Sequence, residues 1–304
     1  IARHDPRIEY AEVMRGVRDV IAEIAPHDSR ERFEGLGVRV VKAEARFIER
    51  NVVEAGGETI RARRFVIATG SRPAVPPIPG LDAVPYLTNE TLFENTQRPS
   101  HLIVVGGGPI GVEMAQAHRR LGSAVTIVEQ ATLLPKDDPE LVDVVRAQLL
   151  REGVTILEGA ALTKLDKTPA GVAATVDHAG KALVVAGSHL LLATGRKANV
   201  EALNLATAGV QAGPRGIETS AQLKTSNRKI YAIGDVNGRF PFTHAAGYHA
   251  GIVLRNALFR LPAKVDDRAM PWVTYTDPEL AQVGLTESAA RERHGRVTAL
   301  RWPF

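Results

Sequence analysis

A chain of 304 residues that is 44% hydrophobic and 24% charged has enough apolar side chains for a large core, and its length indicates about two domains. The net charge of +4 is spread along the chain rather than concentrated in basic runs, which argues against a nucleic-acid partner. Every apolar run is far shorter than the roughly 20 residues that cross a bilayer, so we expect no membrane span and no membrane partner.

Cysteine is absent from the sequence, which excludes disulfides, thiolate metal sites and a thiol nucleophile within these residues. The nine histidines show no metal-ligand spacing, and His244 and His249 are not spaced to share one helical face. We therefore expect no metal site. The first residues carry neither an initiator Met nor a secretory signal pattern, so we expect the sequence to be part of a longer chain.

The N-terminal part of the sequence is predicted to contain one helix and several short strands. Residues 10–25 place their valines and isoleucines on one helical face and are followed by Pro26, which indicates a peripheral helix that ends there. Gly56 and Gly57 form a predicted turn, and a proline-dense stretch at 72–80 is expected to be a stiff connector before a domain boundary. The predicted strands are 38–41, 51–54, 59–61 and 65–70.

The middle of the sequence alternates between strands and helices, which predicts a parallel sheet. The expected elements are strand 101–105, helix 110–121, strand 124–128, helix 139–152 and strand 154–157. A meander at 173–176 and 182–185, a buried strand at 190–195, a strand at 230–235 and a helix at 244–258 are expected to follow. A further element is expected to begin at about residue 270.

A glycine-rich loop directly follows the apolar strand 101–105 and opens a predicted helix, and it fits the dinucleotide-binding pattern G-x-G-x-x-G. Its members are Gly106, Gly108, Pro109, Ile110 and Gly111. In this pattern Gly106 permits a tight turn, Gly108 lets a pyrophosphate approach the backbone, and Gly111 lets the helix pack on the strand. The alternative is a structural glycine turn in an unrelated α/β domain, which the strand and helix on either side disfavour.

Glu129 ends the second strand of the predicted sheet, where a carboxylate can accept hydrogen bonds from the adenosine ribose of NAD(H). A carboxylate here also repels the 2′-phosphate of NADP(H), and the neighbouring Gln130, Ala131 and Thr132 supply no arginine to bind that phosphate. The sequence therefore predicts a domain that prefers NAD(H).

Glu113 lies just beyond the last glycine of the loop, inside the expected first turn of the helix. A carboxylate in a first turn can stabilise the helix through its dipole. It can equally lie beside the nicotinamide ring, and the residues themselves leave these two interpretations open.

Three predicted strands end in small residues, which allow a ligand to approach the backbone. Residues 65–70 and 190–195 both close in Ala-Thr-Gly, and a third strand closes in Gly234 and Asp235. Ligands of open α/β sheets bind at the carboxyl edge of the strands, so these endings indicate more than one nucleotide site. Asp235 suits a sugar or ribitol hydroxyl there, although a turn or helix cap is the alternative.

Taken together, these segments resemble the pyridine nucleotide-disulfide oxidoreductases, which include dihydrolipoyl dehydrogenase, glutathione reductase and mercuric ion reductase. The resemblance covers nearly the whole chain, and residues 242–245 and 275–278 look closer to the mercuric-reductase-like members. The segments that carry it are 68–73, 106–113, 193–196, 225 with 230–235, and 270–279.

The resemblance implies an α/β flavoprotein fold with two dinucleotide-binding domains and the start of an α+β interface domain. In that fold a Rossmann-like NAD domain (99–197) is inserted in a partial FAD domain (1–98 and 198–267), and the interface domain begins at 268 and continues to 304. The family's N-terminal flavin fingerprint, its redox cysteine pair and most of its interface domain have no counterpart in this sequence.

The resemblance also implies the cofactors FAD and NAD and a set of residues around them. Glu113 would lie by the nicotinamide, Glu129 by the adenosine ribose, and Gly195 by NAD. Asp235 would bind the flavin ribitol, and Thr243 and His244 would begin a helix near the flavin ring. The other residues implied near FAD are Ala45, Thr69, Gly70 and Gly234.

The function implied by the resemblance is that of a cytoplasmic, homodimeric oxidoreductase in which hydride passes from NADH to flavin and then to a disulfide or a metal ion. Lipoamide, another disulfide and mercuric ion all remain open as acceptors. A second hypothesis is a catalytically silent nucleotide-binding fragment of such an enzyme, which the absence of cysteine favours. A simple NAD-dependent dehydrogenase would need an acid-base residue that no feature identifies.

Overall fold

The computed structural model describes residues 7–302, so residues 1–6 and 303–304, at the outer ends of the first and last predicted domains, lie outside the described residues. The chain forms two compact units, each assembled from separate segments. Unit 1 contains residues 7–24, 73–195 and 271–302, and unit 2 contains residues 25–72 and 196–270.

Seven α-helices occur between residues 7 and 302. They are α1 (Tyr10–Ile24), α2 (Arg30–Gly35), α3 (Pro109–Arg120), α4 (Pro139–Arg151), α5 (Leu205–Ala208), α6 (Thr243–Ala257) and α7 (Glu287–His294). Short 3₁₀ helices, among them Leu81–Ala83 and Gly234–Asn237, lie between them.

The strands of the same part of the chain are mostly short. They are β1 (Ala45–Glu49), β2 (Val52–Ala55), β3 (Glu58–Arg61), β4 (Phe65–Ile67), β5 (Ser71–Pro73), β6 (His101–Val105), β7 (Ala124–Val128), β8 (Thr155–Leu157), β9 (Ala160–Thr168), β10 (Gly171–His178), β11 (Lys181–Gly187), β12 (His189–Leu192), β13 (Arg196–Ala198), β14 (Ala212–Gly213), β15 (Gly216–Ile217), β16 (Ile230–Ala232), β17 (Pro271–Thr274) and β18 (Leu280–Val283).

Unit 1 is built on a parallel sheet with the strand order β12-β6-β7-β8, which confirms the parallel sheet predicted from the alternating elements. Strand β6 is apolar along most of its length because both of its faces are covered. Leu102 and Val104 pack with residues of α3 and α4, whereas Ile103 and Val105 pack on the opposite face. The end of β6 is therefore held between two apolar layers.

The opposite face is covered by an antiparallel sheet of β9, β10 and β11. The sequence predicts β10 and β11 but not β9, in which charged residues such as Lys164 and Asp166 interrupt the apolar pattern. Leu165 of β9 is nevertheless buried, and its amide donates to the carbonyl of Pro79 at 2.8 Å. A strand with one covered face needs only its inward side chains to be apolar, which is why β9 has a weak sequence signal.

The C-terminal segment of unit 1 forms the hairpin of β17 and β18, followed by α7. Leu280 of β18 joins the core beneath α3 and α4. The indole nitrogen of Trp272 donates to Asp137 at 2.7 Å, and the amide of Glu287 donates to Asp138 at 2.9 Å. These contacts attach the segment to the start of α4.

Unit 2 contains the antiparallel sheet β1-β2-β3 and the parallel pair β16-β4. Gly56 and Gly57 turn the chain between β2 and β3, as predicted, and both have positive φ angles. Its core combines Phe47 of β1, Ile67 of β4 and Ile230 of β16. The carboxyl ends of β4 and β16 consequently lie side by side.

The prediction of a strand at 38–41 is wrong. The amide of Val38 donates to the carbonyl of Phe33 at 3.0 Å and so closes the C-terminal end of α2, with Gly37 in the left-handed region at a φ of 82°. Helix α2 itself was not predicted from the sequence, because its six residues are too few to show helical periodicity.

Helix α1 is confirmed, and its position is peripheral as expected. Tyr10 and Met14 are its buried side chains, whereas Val20, Ile21 and Ile24 are 55%, 52% and 55% exposed. The apolar face that indicated a helix is thus largely in contact with solvent. No helix in the described part of the chain combines the length and the apolar character needed to cross a bilayer.

We predict that unit 1 loses stability below neutral pH because of the buried histidine His118. Its Nδ1 lies 2.8 Å from the carbonyl of Met114 and must carry the proton, so its Nε2 accepts from the hydroxyl of Tyr10 at 3.2 Å. Burial lowers the pKa of His118. Because the unfolded chain then takes up the proton first, the stabilisation is complete above about pH 6.5 and is lost as the pH falls from there through the folded-state pKa.

The measurement is the free energy of unfolding in denaturant at pH 7.5 and pH 5.5. We expect His118→Gln to lose less stability than the wild type between these two pH values, and the exposed control His27→Gln to behave as the wild type does. An equal pH dependence in all three proteins would contradict the prediction.

Candidate functional site

The glycine loop of unit 1 connects β6 to α3 at the carboxyl end of the parallel sheet. Gly106 has a φ of 111°, and a Cβ there would collide with the carbonyl oxygen of Ala193. A Cβ on Gly111 would collide with the carbonyl oxygen of Gly106. Both positions therefore require glycine, Gly106 for the turn and Gly111 for the approach of α3 to the strand.

Gly108 differs from these two glycines. Its φ of −75° is available to any residue. Apart from its chain neighbours and the backbone of its own helix, no atom of the described chain lies within 4 Å of the position that a Cβ would take. It immediately precedes α3, which begins with Pro109 and Ile110. The backbone of Gly108 thus faces open space at a helix N-terminus, where unpaired amides and the helix dipole favour an anion.

Glu129 directly follows β7 and is fixed by two backbone amides. Its Oε2 accepts from the amide of Gly107 at 2.6 Å, and its Oε1 accepts from the amide of Ala131 at 2.7 Å. The carboxylate and the glycine loop are therefore in direct contact, as the order of strands in the sequence implies. Its position at the strand tip suits an acceptor for ribose hydroxyls.

Glu113 lies on α3 but outside its first turn, because the helix begins at Pro109 and has no acidic residue in that turn. The interpretation as a first-turn dipole contact is therefore wrong. Instead, Oε1 of Glu113 accepts from the amide of Tyr275 at 2.8 Å. Burial raises the pKa of Glu113, and this hydrogen bond opposes the rise.

Gln116 continues the same contact between α3 and the C-terminal segment. Its side-chain oxygen accepts from the amide of Asp277 at 2.8 Å, and its side-chain nitrogen donates to the carbonyl of the same residue at 2.8 Å. Arg120 adds a hydrogen bond to the Asp277 carboxylate at 2.8 Å. Glu113 thus belongs to a row of polar side chains on α3 that the sequence did not reveal as a unit.

Gly195 ends the second Ala-Thr-Gly segment, next to β12. Its carbonyl accepts from the amide of Ala74 at 2.9 Å, and the hydroxyl of Thr194 donates to the carbonyl of Ala74 at 2.7 Å. Gly195 has a φ of 111°, and a Cβ on it would meet no other described atom within 4 Å. The connector predicted from its prolines is therefore tied to this strand end.

In unit 2, the residues that follow the two Ala-Thr-Gly motifs, Ser71 and Arg196, lie next to Asp235. Oδ2 of Asp235 accepts from the hydroxyl of Ser71 at 2.5 Å and lies 3.6 Å from Nε of Arg196. Arg196 in turn donates to the hydroxyl oxygen and to the carbonyl of Ser71, both at 2.7 Å. Neither Ser71 nor Arg196 is predicted from the sequence to have a site role, although each directly follows an Ala-Thr-Gly motif.

Ala45 and Thr69, which the resemblance places near FAD, line one cavity of about 200 Å³ in unit 2. Apart from Arg46, the other lining side chains are apolar: Phe47, Val53, Phe65, Val66, Ile67, Ala68 and Leu203. The hydroxyl of Thr69 donates to the carbonyl of Asn199 at 2.7 Å, and the carbonyl of Gly70 accepts from the amide of Asn199 at 3.0 Å.

Helix α6 begins at Thr243, close to the predicted start. Thr243 and His244 are both exposed, and the ring of His244 stacks on Phe242 with 5.4 Å between ring centres and an interplanar angle of 8°. Among residues 7–302, no group of three histidine or acidic side chains is arranged to hold a metal ion.

Comparisons with known proteins agree with the segments that carry the resemblance. Residues 7–250 match the family described as pyridine nucleotide-disulphide oxidoreductase, and residues 270–304 match the dimerisation domain of the same family. A mercuric reductase of Bacillus cereus is 37% identical over 288 residues, which are 94% of this chain and 46% of that protein. A dihydrolipoyl dehydrogenase of Staphylococcus aureus is 34% identical and aligns with 89% of this chain and 59% of that protein.

The fold is that of the flavoprotein disulfide reductases, with part of the dimerisation domain. The HOCl-induced flavoprotein disulfide reductase RclA of Escherichia coli superposes with a TM-score of 0.84 at 29% identity, over 93% of this chain and 66% of that one. LpdA of Mycobacterium tuberculosis superposes with a TM-score of 0.85 at 27% identity, over 95% of this chain and 65% of that one.

The chain spans about half the length of the curated relatives named above, 46% of one and 59% of the other. The family match nevertheless covers most of its residues and includes the glycine loop, Glu129 and Asp235. The chain belongs to the pyridine nucleotide-disulphide oxidoreductase family.

Proposed function

We propose that this chain is part of an FAD-dependent NADH oxidoreductase that delivers electrons to a disulfide or a metal ion. The observation that carries the proposal is the open backbone of Gly108 at the N-terminus of α3, with the carboxylate of Glu129 fixed beside the same loop. In this proposal residues 99–197 bind NADH, and residues 1–98 and 198–267 contribute to an FAD site.

In the NADH site, the glycine loop and Glu129 would bind different parts of the nucleotide. The pyrophosphate would lie against Gly108, where the amides at the start of α3 can donate to it. Glu129 would accept hydrogen bonds from the adenosine ribose, and its negative charge would disfavour the extra phosphate of NADPH. The two backbone amides that hold Glu129 keep its carboxylate in place before a ligand arrives.

The residues around Asp235 fit a polyol such as the flavin ribitol. Asp235 already accepts a hydrogen bond from a hydroxyl group, that of Ser71, so the carboxylate is an oriented hydroxyl acceptor. Arg196 lies within 4 Å and partly balances the charge of a carboxylate that is itself partly buried. The apolar cavity lined by Ala45 and Thr69 lies in the same unit. In this proposal Gly70, Gly234, Thr243 and His244 also belong to the FAD site.

Bound flavin would supply the hydride and electron transfer between NADH and the acceptor. The protein's part is to bind and orient the two cofactors. Glu113 would lie beside the nicotinamide, where its hydrogen bond to the amide of Tyr275 fixes the carboxylate. Because burial raises the pKa of Glu113, a cationic or hydrogen-bond-donating neighbour would stabilise its charged form.

The acceptor class is inferred from the relatives. The matched proteins include mercuric reductases and dihydrolipoyl dehydrogenases, whose names imply a metal ion in one case and a disulfide in the other. Because the chain contains no cysteine, a redox cysteine pair would have to be supplied by another part of the protein. The match of residues 270–304 to a dimerisation domain supports a homodimer, and we propose a cytoplasmic one, as in the family.

The absence of cysteine also favours a second candidate, a nucleotide-binding fragment without catalytic activity. Both candidates bind NADH, but only the first transfers its hydride. Oxidation of NADH by the FAD-loaded protein in the presence of an artificial electron acceptor would support the first candidate. Binding of both cofactors without NADH oxidation would support the second.

The Gly108→Ala variant tests the pyrophosphate site. Since the added Cβ meets no described protein atom, we expect an unchanged melting temperature but an NADH affinity reduced by about tenfold or more, because the methyl group would occupy the ligand's place. Calorimetric titration with NADH measures the effect. The control is Gly16→Ala, an exposed glycine of α1 whose Cβ also has open space. Equal NADH affinity in both variants would contradict the assignment.

The Glu129→Arg variant tests the choice between NADH and NADPH. We expect weaker NADH binding, because the ribose acceptor is lost, and a shift of preference toward NADPH, because the arginine can pair with its phosphate. Dissociation constants for both nucleotides are compared with those of the exposed control Glu292→Arg. Unchanged NADH affinity in Glu129→Arg would count against this role.

The Asp235→Ala variant tests the flavin site. We expect the wild-type chain to quench the fluorescence of added FAD, and Asp235→Ala to bind FAD at least about tenfold more weakly because the hydroxyl acceptor is removed. The exposed Asp82→Ala serves as the control. FAD binding that is unaffected by loss of the Asp235 carboxylate would refute its assignment to the ribitol.

A further inference from the structure

A histidine that the proposed function does not use lies beneath the turn that carries Asp235. His249 belongs to α6 and is 0% exposed. Its Nδ1 accepts a hydrogen bond from the amide of Gly234 at 3.2 Å. Its Nε2 is buried without a hydrogen-bond partner among residues 7–302. The sequence alone predicts no role for this residue, because its spacing from His244 does not suit a shared metal site.

The contacts of Nδ1 fix the protonation of the ring. The amide of Gly234 can only donate, and the side-chain nitrogen of Asn237 lies 3.5 Å from the same Nδ1. The orientation of the Asn237 amide is set independently, because its nitrogen donates to the carbonyl of Ala232 at 3.2 Å and its oxygen accepts from the amide of Arg239 at 3.1 Å. Nδ1 therefore faces two donors and must be unprotonated, so the ring proton lies on Nε2.

The charge surroundings agree with a neutral ring. Burial lowers the pKa of His249, and the nearby Arg239 lowers it further, whereas Asp267 opposes the change. Arg239 and Asp267 form an ion pair at 2.9 Å, so their effects on the ring partly cancel. Asp235, on the same turn, is engaged by Ser71 and Arg196. The imidazole is neutral at pH 7 and can act as an acceptor.

The turn that His249 holds requires a backbone conformation that residues other than glycine rarely adopt. Gly234 has a φ of 67°, and a Cβ on it would lie 3.2 Å from the Cβ of Ala246 on α6. The turn is therefore packed against α6 and hydrogen-bonded to it at the same point. Asp235 is the next residue, so the position of its carboxylate depends on this attachment.

We propose that His249 is a positioning residue for Asp235: its neutral imidazole accepts from Gly234 and holds the turn that presents the carboxylate to the flavin ribitol. This inference rests on the proposed FAD site. Packing alone does not favour histidine here, since leucine would fill a similar volume without burying an unpaired Nε2–H group. The useful property of the histidine is thus the acceptor at Nδ1.

The test compares His249→Asn with His249→Leu in the full chain. The side-chain oxygen of asparagine can replace Nδ1 as an acceptor, whereas leucine has none. We expect His249→Leu to bind FAD at least about tenfold more weakly than the wild type, and His249→Asn to remain within about threefold of it, measured by quenching of flavin fluorescence. Slow hydrogen exchange of the Ile230 amide, in the core of unit 2, serves as the folding control for each variant.

A second measurement needs no variant and therefore does not depend on whether His249→Leu folds. Nitrogen-15 NMR of labelled wild-type protein reports which ring nitrogen carries the proton. A ring protonated at Nε2 alone at pH 7 supports the proposal, and a ring protonated at Nδ1 overturns it. Faster hydrogen exchange of the Gly234 amide in His249→Leu than in His249→Asn is the corresponding expectation for the turn.

The outcomes separate this inference from the proposed function. If the wild type binds no FAD, the proposed flavin site fails and the positioning role fails with it. If the wild type, His249→Asn and His249→Leu all bind FAD equally well, only the positioning role is overturned. Loss of FAD binding in both variants would also overturn the positioning role, because a hydrogen-bond acceptor at position 249 would then not be sufficient for FAD binding.

Discussion

The close approach of backbone to backbone at the glycine loop is the constraint on which unit 1 depends. Gly106 lies against the carbonyl of Ala193, which follows β12, and Gly111 lies against the carbonyl of Gly106. Side chains at these two positions would force β6, β12 and α3 apart. The same turn brings the glycine loop, the start of α3 and the Glu129 carboxylate together, so the packing of the sheet and the shape of the proposed nucleotide site have one cause.

At the proposed site of unit 2, polar side chains hold the strand ends together, whereas in unit 1 glycines allow the backbone segments to pack closely. The hydroxyl of Ser71 connects Arg196 and Asp235. Ser71 and Arg196 each follow an Ala-Thr-Gly motif, and Asp235 lies shortly after β16. Removing part of a carboxylate from water costs free energy that hydrogen bonds and a nearby opposite charge can offset. The cluster supplies both conditions, and it leaves an acceptor where the resemblance places the ribitol of a flavin.

The parallel sheet and its loop could be predicted from the sequence because both leave strong local signals. Strands covered on both faces are continuous apolar runs, and the glycines at 106 and 111 are required by the backbone itself. Strand β9 and helix α2 were not predicted, and residues 38–41 were wrongly predicted as a strand, because the structure of these segments depends on tertiary contacts or on a helix end rather than on periodicity. The partners of Asp235 could not be predicted, since they come from distant segments and are joined only by folding.

The row of side chains on α3 recognises the C-terminal segment mainly through main-chain atoms. Glu113 and Gln116 bind the amides of Tyr275 and Asp277 and the carbonyl of Asp277, none of which changes when a side chain is replaced. Tyr275 itself is 73% exposed. The side chain at position 275 can therefore differ between relatives while α3 still binds the C-terminal segment. This exposed position can change without loss of the contact between the two elements.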